Sequence, residues 1–433
     1  MNKVLNLDYT YNIFKDSYSK KYNREFFSGR VLDTMIVKDG LVLPIKYLCH
    51  SGLKCLNAGG VVDSNGEYVE ISALKSSFCM TGLYEYDRNN IPYIDKDVIY
   101  MGPFLRQWGH FLVEQTSRLW YEIQNKNKNL PIVYTGAWDN SIEGPYLEYM
   151  NILGIDSSRL INVTNPTKFR SVVIPEPSFV ADSYFTKEYR EIFEYAKGNI
   201  KPEKYSKVYF SRRRFTSQKS EYEFGEDSIE KFFSKNGYKI VYPEGLSVSK
   251  QIALIKGCEK FASVAGTLPH NLVFAQDGIE AVVINKTYQY NEFQPLINEM
   301  RNINFTPVDA YISLFPIYRK DGPFLLLVNE NLVNYAKDNN MKMPDKKGIS
   351  EKLLRKYFDS YLNINKSIPP ISDECDIREL YQFFNHKLDF YKKKYPFFLY
   401  YKYLFLKKIF FFSKKKVKHY SDKIQKLESE YFI

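Results

Sequence analysis

The sequence predicts an α/β protein of two domains, and three observations carry that expectation. Short apolar, strand-like runs alternate with helix-like segments through most of the 433 residues. Parallel sheets produce this alternation, because their neighbouring strands need crossover connections. An apolar fraction of 44% beside a charged fraction of 26% is a globular composition, and the length suits two cores. Arginines and a small-residue turn follow strand-like runs directly, where α/β domains bind anionic ligands.

Taken in order, RVLDTMIV and LVLPIKYL flank Lys38-Asp39-Gly40, and GVV and EYVEIS flank Asp63-Ser64-Asn65-Gly66, so two hairpins are expected. DVIYMG reads as a strand. GHFLVEQTSRLWYEIQNK reads as a helix, with Phe111, Leu112, Leu119 and Trp120 near helical spacing. PIVYTG is a second strand, IEGPYLEYMNILG a helix closed by Gly154, and SVVIPEP a third strand ended by prolines. Residues 183–205 form a polar helical connector. KVYFS, YKIVYP, KFASVA and EAVVIN then predict four parallel strands, separated by helices over 227–236, 247–256 and 269–276. Gly237 and Ser247 are expected to cap the first two of these helices. The expected organisation is a first domain over 1–195, a β meander running into an α/β unit. A second domain over 205–330, a helical return over 331–390 and a basic, aromatic extension over 391–433 follow it.

Five scattered cysteines, Cys49, Cys55, Cys79, Cys258 and Cys375, form no CxxC pair. They argue for a reducing compartment and against a disulfide framework or zinc cluster. The N-terminus lacks an apolar signal-peptide core and no run of 18 apolar residues occurs. A cytoplasmic protein without an ordinary transmembrane helix is therefore expected. The net charge of +11 is concentrated: residues 387–418 hold eleven lysines against one aspartate. The body is close to neutral, so no nucleic-acid partner is expected. In KKKYPFFLYYKYLFLKKIFFFSKKK, Lys402, Lys407 and Lys408 interrupt the apolar stretch and oppose a spanning helix. Lysines that snorkel among headgroup-level aromatics suit a peripheral anchor on an anionic membrane, at about 1 kcal/mol per lysine. The same segment also suits a tail packed on the body or an oligomer contact, and the oligomeric state stays open.

Three clusters carry chemistry. His110, Glu114 and Arg118 are four residues apart and share a helix face. A histidine one turn from a carboxylate works as a base with its orienter. The same spacing suits a solvated face with a salt bridge, and it is not the HExxH of a zinc site. Ser211-Arg212-Arg213-Arg214 follows a strand, where guanidinium forks bind phosphate oxygens, or where a basic turn simply meets solvent. In Ala265-Gly266-Thr267-Leu268-Pro269-His270-Asn271, Gly266 permits a tight turn and Thr267 caps or donates. The helix start after it would hold a diphosphate, with His270 and Asn271 within the same turn. This is neither GxGxxG nor GxxxxGK[ST].

WGHFLVEQTSRLW, FSRRR, the later Glu226, GYKIVYPEGLSVSKQIALI and GTLPHNLVFAQDG resemble, in that order, the signature of glycosyltransferase family 61, a group that includes bacterial capsule and exopolysaccharide enzymes. The resemblance covers about residues 100 to 290. Many members carry a histidine-glycine pair in the turn where this chain has Ala265-Gly266, with a histidine only later, at His270. The resemblance implies a GT-B-like architecture of two Rossmann-like domains facing across a cleft, with the basic, aromatic extension outside the shared pattern. It implies inverting transfer without a bound metal or cofactor, and no DxD stands in a loop after a strand. The implied donor is a nucleotide-sugar, expected as UDP-linked, on the second domain. The implied acceptor is a glycan or lipid-linked glycan on the first.

In that scheme His110 is the base with Glu114 orienting it, or Glu114 is the base, and Arg118 orients the acceptor or Glu114. Arg212, Arg213, Gly266, Thr267, His270 and Asn271 meet the donor phosphates, and Glu244 meets the nucleoside. The product is a surface-polysaccharide unit built at the inner membrane face, where the extension keeps the enzyme near its acceptor. The alternatives are a transferase of polyol phosphate or sugar phosphate, and a non-catalytic, membrane-docked scaffold of polymer assembly.

Overall fold

The computed structural model describes residues 5–50, 53–74, 82–125, 129–215, 222–289, 291–312, 322–345, 350–365, 406–407 and 413–431. Two sheets organise them. The first is made of β1 (Thr34–Lys38), β2 (Leu41–His50), β3 (Leu53–Val62), β4 (Tyr93–Phe104), β5 (Ile132–Gly136), β6 (Leu160–Asn162) and β7 (Thr167–Pro175). Its order is β3-β2-β7-β4-β5-β6, with β1 also on β7. β7, β4, β5 and β6 run parallel, and the first three strands join them antiparallel. Val98, Ile99, Tyr100 and Met101 are all buried, as a central parallel strand covered on both faces requires.

The first predicted hairpin does not form. β1 lies opposite Ser171–Pro175 and the start of β2 opposite Thr167 and Lys168, so both strands pair with β7 instead of with each other. The connecting turn is tied to β7: Asp39 N–H donates to the Arg170 carbonyl and Phe169 N–H to the Gly40 carbonyl, each at 2.9 Å. The second turn does form, with Asp63 N–H on the Glu67 carbonyl and Val69 N–H on the Val61 carbonyl, both 2.9 Å.

The second sheet has β8 (Lys207–Phe210), β9 (Lys239–Val241), β10 (Lys260–Val264), β11 (Glu280–Asn285) and β12 (Asn304–Asp309). All are parallel, in the order β9-β8-β10-β11-β12. The chain leaves β8 toward β9 and then returns to its other side, so the order reverses between β8 and β10. Helices Glu226–Lys235, Val248–Gly257 and Gln294–Met300 make three of the crossovers. Ser247 caps the second of them by accepting from Lys250 N–H. The remaining crossover, expected as an α-helix over 269–276, is the 3-10 segment Leu268–Phe274, in which every residue is buried. The sheet is extended by one strand, β12, that the sequence did not suggest.

The two sheets share apolar packing. One continuous core cluster holds Phe104, Phe111 and Tyr149 from the first with Phe210, Phe261 and Leu272 from the second. Helix Lys187–Gly198 lies in it, burying Tyr189, Ile192, Phe193 and Ala196. Residues 5–11, expected within the first domain, run along β12 instead: Asn6 N–H donates to Phe305 and Asp309 N–H to Tyr9, each at 3.0 Å. Helices Glu330–Asp338 and Glu351–Asn365 form the described part of the expected return, and helix Lys414–Tyr431 follows later. Residues 366–390 and most of 391–412 lie outside the described residues, and with them the centre of the basic, aromatic extension. Among the described residues, no helix is long and apolar enough to cross a membrane.

Candidate active site

A cavity of about 810 Å³ opens where the carboxyl ends of strands from both sheets meet. One wall comes from the first sheet: Arg106, Gln107 and Trp108 follow β4, and Pro145, Tyr146 and Glu148 belong to the helix after β5. The other comes from the second: Ser211, Arg212 and Phe215 follow β8, Pro243, Glu244, Leu246 and Gln251 follow β9, and Thr267, Leu268 and Asn271 follow β10. Open α/β sheets bind ligands beyond the carboxyl ends of strands where the strand order reverses. The cavity sits at that point of the second sheet, between β8 and β10. Its volume is that of a small-molecule site.

Helix Trp108–Val113 reaches the cavity through Trp108 alone; His110 and Glu114 are not among the residues that line it. The Trp108 indole N–H donates to Asn271 Oδ1 at 3.1 Å. Gly109 has no room for a side chain: a Cβ there would stand 2.8 Å from His270 Nδ1 and 3.2 Å from Thr267 Cγ2. The absent methyl lets the Leu268–Phe274 segment lie directly on the helix. His110 Nδ1 is 2.5 Å from Glu114 Oε2. The His110 side chain is 21% exposed, whereas Glu114 is 4% exposed and stands behind it. Both histidine rings pack edge-on to Phe293.

Arg118 does not join that pair. The predicted helix breaks after Val113 into the 3-10 turn Gln115–Arg118 and then helix Trp120–Gln124. The Arg118 guanidinium is buried and donates to the carbonyls of Pro175, Ile71 and Ala73. Burial pulls it down to about 10. Arg118 thus fastens the carboxyl end of β7 to the 71–73 turn, away from Glu114.

The donor-side candidates separate in the same way. Arg212, Thr267, Asn271 and Glu244 line the cavity. Asn271 also spends its side chain on Trp108 and on the Leu268 carbonyl. Arg213 turns away to Glu230 at 2.9 Å and is 44% exposed. His270 lies behind the lining, 2% exposed, and burial lowers it to about 4, so the ring is neutral. Gly266 has φ +133°, a conformation that requires glycine, and its bare Cα faces Arg212 and Lys286.

Sequence reasoning missed Lys286, Glu223 and Glu148. Lys286 is one residue beyond β11, and Arg212, which its position did single out, is two beyond β8. Glu223 bridges both: Arg212 Nε is 2.9 Å from Oε2, and Lys286 Nζ pairs with Oε1. Burial pushes the Glu223 carboxyl up, but Lys286 and Arg212 outweigh it and hold the group below its ordinary value. Glu148 reaches across from the first sheet. Its carboxylate accepts from Val248 N–H at 2.8 Å and Ser249 N–H at 3.0 Å, a carboxylate on the positive end of a helix. Neither glutamate stands in a recognisable pattern. Among the described residues, no three His, Cys, Asp or Glu side chains gather as metal ligands.

The chain was compared with curated proteins and none matches it. The family model described as Glycosyltransferase 61 matches residues 108–284. That span begins at the Trp108 helix and ends within β11, and it contributes most of both cavity walls. The stretch on which the two sheets meet is thus the part of the chain that is similar to family 61 glycosyltransferases.

Proposed function

We propose that the chain is an inverting glycosyltransferase of GT-B-like build that uses a nucleotide-sugar donor, expected as UDP-linked, without a metal ion. The observation that carries this reading is the cavity itself. Through Trp108 it meets the first residue of the histidine–carboxylate helix, with His110 and Glu114 themselves outside its lining, and it reaches the strand-reversal point of the other sheet, almost wholly inside the matched family span. The donor nucleoside lies toward Glu244 and Leu246, its phosphates toward Arg212 and Thr267, and the acceptor toward the His110 side. With Nδ1–H given to Glu114, the lone pair of His110 is on Nε2, which takes the acceptor hydroxyl proton as that oxygen attacks the anomeric carbon. Glu114 is too deeply set to meet an acceptor, so it fixes the tautomer and stabilises the imidazolium that forms. Arg212 meets the charge that develops on the leaving diphosphate.

The acceptor in this reading is a lipid-linked or growing surface polysaccharide at the inner membrane face. The lysine-rich, aromatic composition of 391–433 supports that location through attraction to anionic lipid.

The test is transfer by the purified chain from UDP-sugars, with and without EDTA, followed by NMR of the anomeric configuration. The expected product is inverted and its yield is the same in EDTA. His110→Ala and Glu114→Ala are each expected to lower kcat by about 10²- to 10⁴-fold. Near-normal turnover in both variants removes the pair from the chemistry.

A further inference from the structure

Three neighbouring strand ends of the second sheet converge on one point. Arg212 follows β8, Gly266 follows β10 and Lys286 follows β11. A Cβ placed on Gly266 would be 3.8 Å from an Arg212 terminal nitrogen and 3.8 Å from Lys286 Nζ. The two cations therefore flank the space that the glycine leaves empty. Both are held there by one carboxylate, Glu223, and the three side chains are only 11–14% exposed. Two sequestered cations on a single counter-ion are an arrangement that a further anion stabilises. Burial lowers the Lys286 ammonium, and Glu223 only partly offsets it. The other nearby carboxyl, Glu226, accepts from the Arg212 backbone N–H at 3.1 Å and the Tyr209 hydroxyl at 3.0 Å, leaving both cationic head groups to Glu223.

We propose that Lys286 and Arg212 form a two-cation subsite above Gly266 for the terminal phosphate of a nucleoside diphosphate, with Glu223 as the bridge that keeps both cations extended while the subsite is empty. The proposal rests on the donor-binding reading above. It adds the residue pair that separates a diphosphate from a monophosphate. Arg212 supplies a flat fork and Lys286 a point charge, so together they meet two oxygens of one phosphate. Glu223 never touches the ligand and is a positioning residue.

Isothermal titration of the full chain with UDP, UMP and inorganic pyrophosphate tests this, using wild type, Glu223→Gln, and Lys286→Met combined with Glu223→Gln. The double variant removes one positive and one negative charge together, so the net charge of the cluster stays that of one cation, Arg212. Against Glu223→Gln, it is expected to weaken UDP binding about ten- to hundredfold and UMP binding less than threefold. Lys286→Gln, whose amide still reaches Glu223, serves if the double variant does not fold, with the same expected selective loss. UDP binding unchanged by loss of Lys286 overturns the subsite and leaves the donor reading standing. Pyrophosphate binding that depends on Lys286, without any UDP binding, supports the subsite and overturns the nucleotide reading. No binding of UDP or pyrophosphate by wild type overturns both.

Discussion

His110, Glu114 and Arg118 are equally spaced, yet only the first two meet. An α-helix turns about 100° per residue and a 3-10 helix about 120°. A four-residue step therefore lands about 40° from its start in the first and about 120° in the second. His110 to Glu114 spans α-helical backbone, and Glu114 to Arg118 spans the 3-10 turn. The break swings Arg118 into the protein, where backbone carbonyls accept its hydrogen bonds. Spacing made the pair legible, but it carried no sign of the break. His270 gives a prediction at this scale. Burial lowers its folded-state value to about 4, against an ordinary 6.5. The unfolded chain thus binds a proton first as pH falls. The stability due to neutral His270 is complete above pH 6.5 and is lost progressively down to about pH 4, about 3 kcal/mol in all. Asp309 opposes it: burial raises that carboxyl to about 6, so its contribution grows as pH falls from 6 toward 4. Comparing wild type with His270→Gln isolates the histidine. Urea unfolding at pH 7 and pH 4.5 should show the advantage of wild type shrinking, and an advantage independent of pH would refute the assignment.

At the scale of elements, the helix Trp108–Val113 and the segment Leu268–Phe274 act as one contact, closed by Gly109. Gly109→Ala puts a methyl against the buried His270 ring and the Thr267 side chain. It should cost about 1–3 kcal/mol and appear as a lower Tm, with weaker UDP binding because Thr267 and Asn271 move with the segment. An unchanged Tm would mean that the two elements part easily. The strands of the second sheet were readable because KVYF, KFASV and EAVVIN are continuous apolar runs, as buried parallel strands must be. β12 was not, because Pro307 interrupts NFTPVD and a proline ordinarily demotes a strand. It is tolerated here in the last strand of the sheet. The false hairpin at Lys38-Asp39-Gly40 has a related cause. Turn residues report that the chain bends, and a third strand, β7, supplied from far along the chain by Thr167 to Pro175, decides what each arm pairs with.

The whole molecule has a continuous core through both sheets, and Glu148 ties the first sheet to a helix of the second. The cavity walls are therefore set by packing that no sequence window contains, which is why individual candidates were legible and their division into lining and support was not. Arg212 and Arg213 are adjacent, and only the fold sends one to the cavity and the other to Glu230. The extension belongs to this scale as well. Removal of residues 391–433 should release the protein from anionic vesicles at moderate salt while leaving transfer to a soluble acceptor intact, measured by co-sedimentation and turnover. Retained binding would exclude the segment as the anchor. The segment at residues 5–11 carries a different consequence, for biosynthesis. Tyr11 N–H reaches Asp309 and the Tyr11 hydroxyl reaches Tyr311, partners 298 and 300 positions later. At about 5–20 residues per second, roughly 15–60 s of translation separate the two ends of that contact. The outer edge of the second sheet can therefore be sealed only late, by residues that leave the ribosome first and wait unpaired until Asn304–Asp309 has emerged.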